Sequence, residues 1–79
     1  MNKRLVTILA EVFELKEPEV RPSLKKSDVG SWDSLKQMDL VLSLEREYGV
    51  ALEISDIVRM VSVADIEEVL RGKGVDLGD

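Results

Sequence analysis

A chain of 79 residues with a formal charge of −5, no cysteine and no histidine excludes several function classes at once. Its length allows one domain, residues 1–79, with a core only marginally large enough to be stable, and without cysteine neither disulfides nor thiolate metal sites can staple it. The acidic balance argues against nucleic acid, whose phosphates need clustered Lys and Arg, and favours basic protein partners.

Apolar residues make up 44% of the chain and charged residues 34%, the composition of a folded globular domain. Met1-Asn2-Lys3-Arg4 leads into an amphipathic pattern instead of a signal-peptide core, which predicts a cytoplasmic chain with no membrane insertion. Leu5, Val6, Ile8, Leu9, Val12 and Phe13 recur at helical spacing and predict a first helix from about Asn2 to Leu15. Glu17-Pro18 and Arg21-Pro22 break it, because proline lacks the amide donor and biases its predecessor away from helix. The loop that follows runs to Trp32, roughly seventeen residues, longer than most connections in a compact domain. Leu24, Val29 and Trp32 predict that it is pinned to the core, with Trp32 as a structural anchor.

A second helix is expected from Ser34 to Tyr48, with Asp33 capping its free amides and Gly49 ending it. Glu53 to Met60 reads as a short third helix with Asp56 near its start, and its Ile57 and Val58 face either a pocket or, as the favoured reading, the core. Ser62 caps a last helix from Val63 to Arg71, with Asp65 in a weak capping box and Gly72 just past the end. The tail Gly74 to Asp79 is expected to fray. These elements make an all-α, four-helix bundle of three longer helices and a short third, with a long loop between the first two.

Catalysis by the chain itself finds no support, since histidine and cysteine are both absent. The carboxylates Glu45 with Glu47 and Glu67 with Glu68 point apart on a helix and read as solvated faces. No phosphate-binding glycine loop and no metal-ligand set is present. Charge is unevenly spread: residues 1–32 carry six bases against five acids, and residues 33–71 four bases against nine acids.

Helix two carries the most information. At about 100° per residue from Ser34, Leu40, Val41, Leu44 and Tyr48 fall in an arc wide enough to cover a core. Leu35, Met38 and Leu42 fall in a separate arc bordered by Asp39, Glu45 and Arg46. That second stripe is either a docking surface with acidic edges or a second buried face. Ser34 projects at the helix start beside both.

The run Trp32-Asp33-Ser34-Leu35, followed by an amphipathic helix ending in Glu45-Arg46-Glu47-Tyr48-Gly49-Val50, resembles the acyl carrier protein family. Asp56-Ile57 and Ser62-Val63 also stand where that family has them, so the likeness spans nearly the whole chain. The resemblance implies a carrier and not an enzyme, cytoplasmic and monomeric. A phosphopantetheinyl transferase would move a 4'-phosphopantetheine arm from coenzyme A onto Ser34, and the arm's thiol would hold acyl groups as thioesters in fatty-acid, polyketide or other specialised biosynthesis. An anionic phosphodiester suits a helix N-terminus, flanked here by Asp33 and Leu35. The resemblance further implies docking of acyl-loading and acyl-using enzymes with basic patches through Leu35, Met38, Asp39, Leu42 and Glu45. It also implies room for the acyl chain among helices two, three and four, where Met38 and Met60 are adaptable liners or plain core filler. Two residues depart from the pattern: Lys36 stands where an acid is common, and Arg46 interrupts an acidic run. An aminoacyl carrier, of D-alanyl or peptidyl type, and an unmodified helical interaction module stay open as alternatives.

Overall fold

In a computed structural model that describes residues 1–78, the chain forms four α-helices. They are α1 (Lys3–Phe13), α2 (Ser34–Tyr48), α3 (Ile54–Arg59) and α4 (Val63–Gly72). Among the described residues there is no strand; the one β-type pairing is a single antiparallel bridge between Lys25 and Ser62. None of the described helices is long and apolar enough to cross a membrane.

Each helix starts where a side chain or a reaching acid satisfies a free amide. Asn2 Oδ1 accepts from Leu5 N at 3.0 Å, so α1 begins one residue later than its apolar spacing suggested. It ends at Phe13, two residues early, because Glu14 turns left-handed at φ 56° and Leu15 N reaches back to the Ala10 carbonyl. Gly49 ends α2 in the same left-handed conformation, at φ 64°, which glycine adopts without a Cβ penalty. At α3, Asp56 Oδ2 accepts from Glu53 N at 2.9 Å, making Glu53 the cap and Ile54 the first helical residue. Ser62 Oγ accepts from Asp65 N and starts α4, while Asp65 accepts from Val61 N, one amide earlier than a regular capping box would use. Gly72 lies inside the last turn of α4, and the left-handed residue that turns the chain is Gly74 at φ 87°.

The core is continuous across all parts of the chain. Leu5, Leu9 and Phe13 of α1, Leu40 and Leu44 of α2, and Ile66 and Leu70 of α4 are essentially inaccessible. The long connection contributes Val20, Leu24, Val29 and Trp32 to the same cluster. Short 3-10 turns at Glu17–Glu19 and Lys26–Asp28 give it local structure, each closed by an acid that accepts from the amide three residues before it. The expectation of a pinned loop therefore holds.

Beyond these element bounds, four further expectations fail. The tail does not fray: Leu77 is buried in the core and its carbonyl accepts from Asn2 Nδ2 at 3.1 Å, tying the two ends of the chain; Asp79 lies outside the described residues. Val58 is 70% exposed instead of core, because α3 is too short to bury more than one face, whereas Ile57 packs half-buried against the cluster. Met38 is exposed on α2 and only Met60 fills the core. Glu67 is buried with its carboxylate 4.0 Å from Arg71, so the Glu67/Glu68 pair splits between interior and solvent.

One ionic latch holds α3 against the end of α4. Lys73 Nζ lies 2.8 Å from Asp56 Oδ2, on a carboxylate only 13% exposed. The Lys73 hydrogen bond, reinforced by the Glu53 amide, holds the Asp56 carboxyl below its ordinary 3.8. The same bond holds the Lys73 ammonium above its ordinary 10.5. A lowered carboxylate stabilises the fold above its unfolded pKa and loses that effect as pH falls through the folded value; a raised ammonium stabilises below its unfolded pKa and loses it as pH rises through the folded value. The latch is thus complete between the two ordinary values and weakens outside them. Asp56→Asn is expected to lower the melting temperature at neutral pH, with the difference from wild type narrowing as the pH falls below the ordinary carboxylate value; circular dichroism melts across that range check it.

Candidate functional site

The start of α2 is built by neighbours on both sides. Asp33, extended at φ −108°, caps the helix by accepting from Lys36 N through Oδ1 at 2.9 Å, and its carbonyl accepts from Gln37 N at 2.8 Å. Two residues earlier, Ser31 Oγ donates to the Phe13 carbonyl at 2.9 Å. Trp32, 3% exposed, stacks on Phe13 with ring centroids 4.5 Å apart. Its indole Nε1 donates to Gln37 Oε1 at 2.6 Å, and Gln37 Nε2 donates to the carbonyls of Ile57 and Met60 at 3.1 and 3.2 Å. One buried amide thus joins the loop end, α2 and the C-terminal end of α3.

Ser34 sits between these fixed residues as the first residue of α2, exposed, with a hydroxyl that makes no hydrogen bond among the described residues. Because Asp33 takes the amides of Lys36 and Gln37, the Ser34 and Leu35 amides are the first-turn donors left open. An accessible alcohol beside unfilled donors at the positive end of a helix dipole fits a phosphodiester-linked group. Among the described residues, no group of three or more His, Cys, Asp or Glu side chains could hold a metal ion.

The second stripe of α2 faces solvent: Leu35 is 76% exposed, and Met38 and Leu42 are about half exposed. The choice between docking strip and second buried face is decided for exposure. Asp39 is exposed beside it. Glu45 differs, since it is half-buried and its Oε2 accepts from Leu52 N at 2.9 Å, so this acid caps the approach to α3 as well as edging the strip. Lys36 turns toward α1, 3.6 Å from Glu14.

Two features went unread in the sequence. Gln37 falls at about 300° on the α2 wheel, inside the apolar arc, and a lone amide amid buried positions was a signal for an interior hydrogen-bond node. Ile54, Val58 and Val61 expose further apolar surface on and after α3, where the short segment showed no period.

Comparison with known proteins adds to this geometry. The family model described as the phosphopantetheine attachment site matches residues 3–70. An acyl carrier protein from Thermotoga maritima is 30% identical over 70 residues, 89% of this chain and 86% of that protein. The solution NMR structure of a holo acyl carrier protein from Geobacter metallireducens superposes with a TM-score of 0.79 at 26% identity, covering 89% of this chain and 80% of the other.

Replacing Gln37 by Ala would leave the Trp32 indole N–H and two carbonyls without their partner. The expected cost is roughly 1–3 kcal/mol, a large share of the ~5 kcal/mol a domain this small can hold. Urea unfolding followed by Trp32 fluorescence measures it, and a loss below about 0.5 kcal/mol would contradict a structural role for this amide.

Proposed function

The chain belongs to the acyl carrier protein family, and from that premise we propose that Ser34 is the residue that carries the prosthetic group. The protein is a carrier and not an enzyme, and its cofactor is a covalently attached 4'-phosphopantetheine. When bound, that group supplies a thiol on which cargo rides as a thioester. The family implies contact with a phosphopantetheinyl transferase and with acyl-handling enzymes.

The observation that carries the assignment is the exposed, unbonded Ser34 hydroxyl at the first position of α2, inside the matched stretch. No carboxylate of this chain is hydrogen-bonded to that hydroxyl among the described residues, so the transferase has to remove its proton as the Ser34 Oγ–phosphorus bond forms and the adenosine bisphosphate of coenzyme A leaves. Asp33 keeps the helix start in place, and Leu35 lies beside the attachment point on the exposed strip. The fold acts as one domain over residues 1–79, cytoplasmic and monomeric, serving fatty-acid, polyketide or another specialised biosynthesis.

Partner enzymes with basic patches dock on Leu35, Met38 and Leu42, with Asp39 and Glu45 steering encounter. Support comes from the exposure of the three apolar side chains on one face, next to acids. Exposed charges change association rate and salt dependence more than final affinity.

Two outcomes test the proposal. Incubated with coenzyme A and a broad-specificity transferase, the protein is expected to gain the mass of one arm, and Ser34→Ala to gain none. Asp39→Lys is expected to slow loading or cargo transfer about two- to five-fold at low salt with an unchanged melting temperature. Glu45→Lys should lower both rate and melting temperature, because it also removes the Leu52 cap, while Glu45→Gln keeps an acceptor for that amide. Unaltered rates in both reversals would exclude the acidic rim from docking.

A further inference from the structure

The seam between α2 and α3 is closed by a polar stitch. Gln37 is buried, and its amide donates to the Ile57 and Met60 carbonyls while its oxygen accepts from the Trp32 indole. Those two carbonyls belong to the last turn and the cap of α3, where a helix leaves carbonyls short of donors. A side chain of α2 therefore caps α3 at its C-terminal end. With only six residues α3 has no stability apart from its neighbours, so drawing it away from α2 also uncaps it. At the other end of the same seam Glu45 Oε2 accepts from Leu52 N. Toward α4, α3 is tied by Asp56 to Lys73 at 2.8 Å and by Arg59 to Glu68 at 3.5 Å.

The stitch stands beside Ser34. Gln37 follows it by three residues, which puts the two on adjacent turns of one face of α2 with Cβ atoms ~5–6 Å apart. Behind Gln37 the space among α2, α3 and α4 is filled by Leu40, Leu44, Met60, Val63 and Ile66, all essentially inaccessible. A chain attached at Ser34 that was to lie among these residues through the α2–α3 seam has to displace the Gln37 amide first. An alkyl chain offers neither donor nor acceptor in its place. Gln37 could swing outward to water, but the Trp32 indole, on a residue 3% exposed, and the carbonyl of fully buried Met60 would stay inside without it.

We propose that Gln37 is a specificity-determining residue that shuts the bundle interior to the carried group, so that an acyl chain rides outside the helices whatever its length. This rests on the assignment of Ser34 as the attachment residue, and it replaces the expectation of room for the chain among helices two, three and four. Exposed Leu35 and Met38, beside Ser34 on α2, offer such a chain apolar surface without any opening of the core. Chain length then adds little to the stability of the loaded protein.

The test loads the apo protein from acetyl, hexanoyl and decanoyl coenzyme A, with mass spectrometry confirming one arm per chain. Melting by circular dichroism and nitrogen-proton spectra of the Gln37 side-chain amide, the Trp32 indole and the Leu44 and Ile66 amides follow each form. The three wild-type forms are expected to melt within about 2 °C of one another, with those four resonances unmoved. In Trp32→Phe with Gln37→Leu, which removes both polar partners together, the decanoyl form is expected to melt at least about 5 °C above the acetyl form of the same variant. Gln37→Met, with an unbranched side chain of similar length, is the second variant and is read in the same way. A wild-type melting temperature that climbs with chain length, or decanoyl-dependent shifts at Gln37, Leu44 and Ile66, would overturn the inference while leaving Ser34 as the attachment residue. Variants as indifferent to chain length as the wild type would overturn the role given to Gln37. Failure of any form to gain mass would instead overturn the attachment assignment, and the inference with it.

Discussion

The hydrogen bond from the Trp32 indole to Gln37 is the contact on which the arrangement depends. Its two residues bracket Ser34, and each is held on its other side, Trp32 by Phe13 of α1 and Gln37 by the carbonyls that end α3. A buried amide with its donor and acceptor groups engaged is costly to disturb, because the low-dielectric interior strengthens the bonds it makes and penalises those it loses. The exposed serine therefore rides on a rigid mount although its hydroxyl makes no hydrogen bond among the described residues. A carrier needs that combination at the attachment point proposed here: it must be accessible to another protein's active site while the backbone beneath it stays fixed.

The acids of this chain divide their work between fold and surface. Asp33, Asp56, Asp65, Glu19, Asp28 and Glu45 each accept from a main-chain amide near a helix start or a tight turn. With only one core and no covalent staples, such local closures are how the domain holds a short α3 and a twenty-residue connection in register. Asp39 has no such bond, and the acids that close turns still contribute their field. The negative potential of the surface is thus partly a by-product of how the backbone is capped.

Exposed apolar residues follow a related division. Leu35, Met38 and Leu42 cannot reach the core, because α2 already covers it with Leu40, Val41 and Leu44 on another arc. Ile54, Val58 and Val61 stay outside because the six residues of α3 bury Asp56 and only part of Ile57, and the core beyond them is filled by Met60 just past the helix end. For a molecule whose role is to be recognised by several enzymes, surface of this kind is available for contact without any rearrangement of the interior.

Local patterns in the sequence were sufficient to determine the α-helical class, the long loop interrupted by Pro18 and Pro22, the Asp33 cap before Ser34, the end of α2 at Gly49 and the family. These depend on interactions within three or four residues, which spacing and residue type encode directly. Tertiary structure alone decided what lies between elements. It put Gln37 at the junction of three segments, gave Glu45 a second task at Leu52, buried Leu77 against an expected loose tail and left Val58 in solvent. A single-helix wheel shows which residues share a face but not whether a neighbour covers it, since cover comes from segments distant in the chain whose approach is set by packing of the whole core.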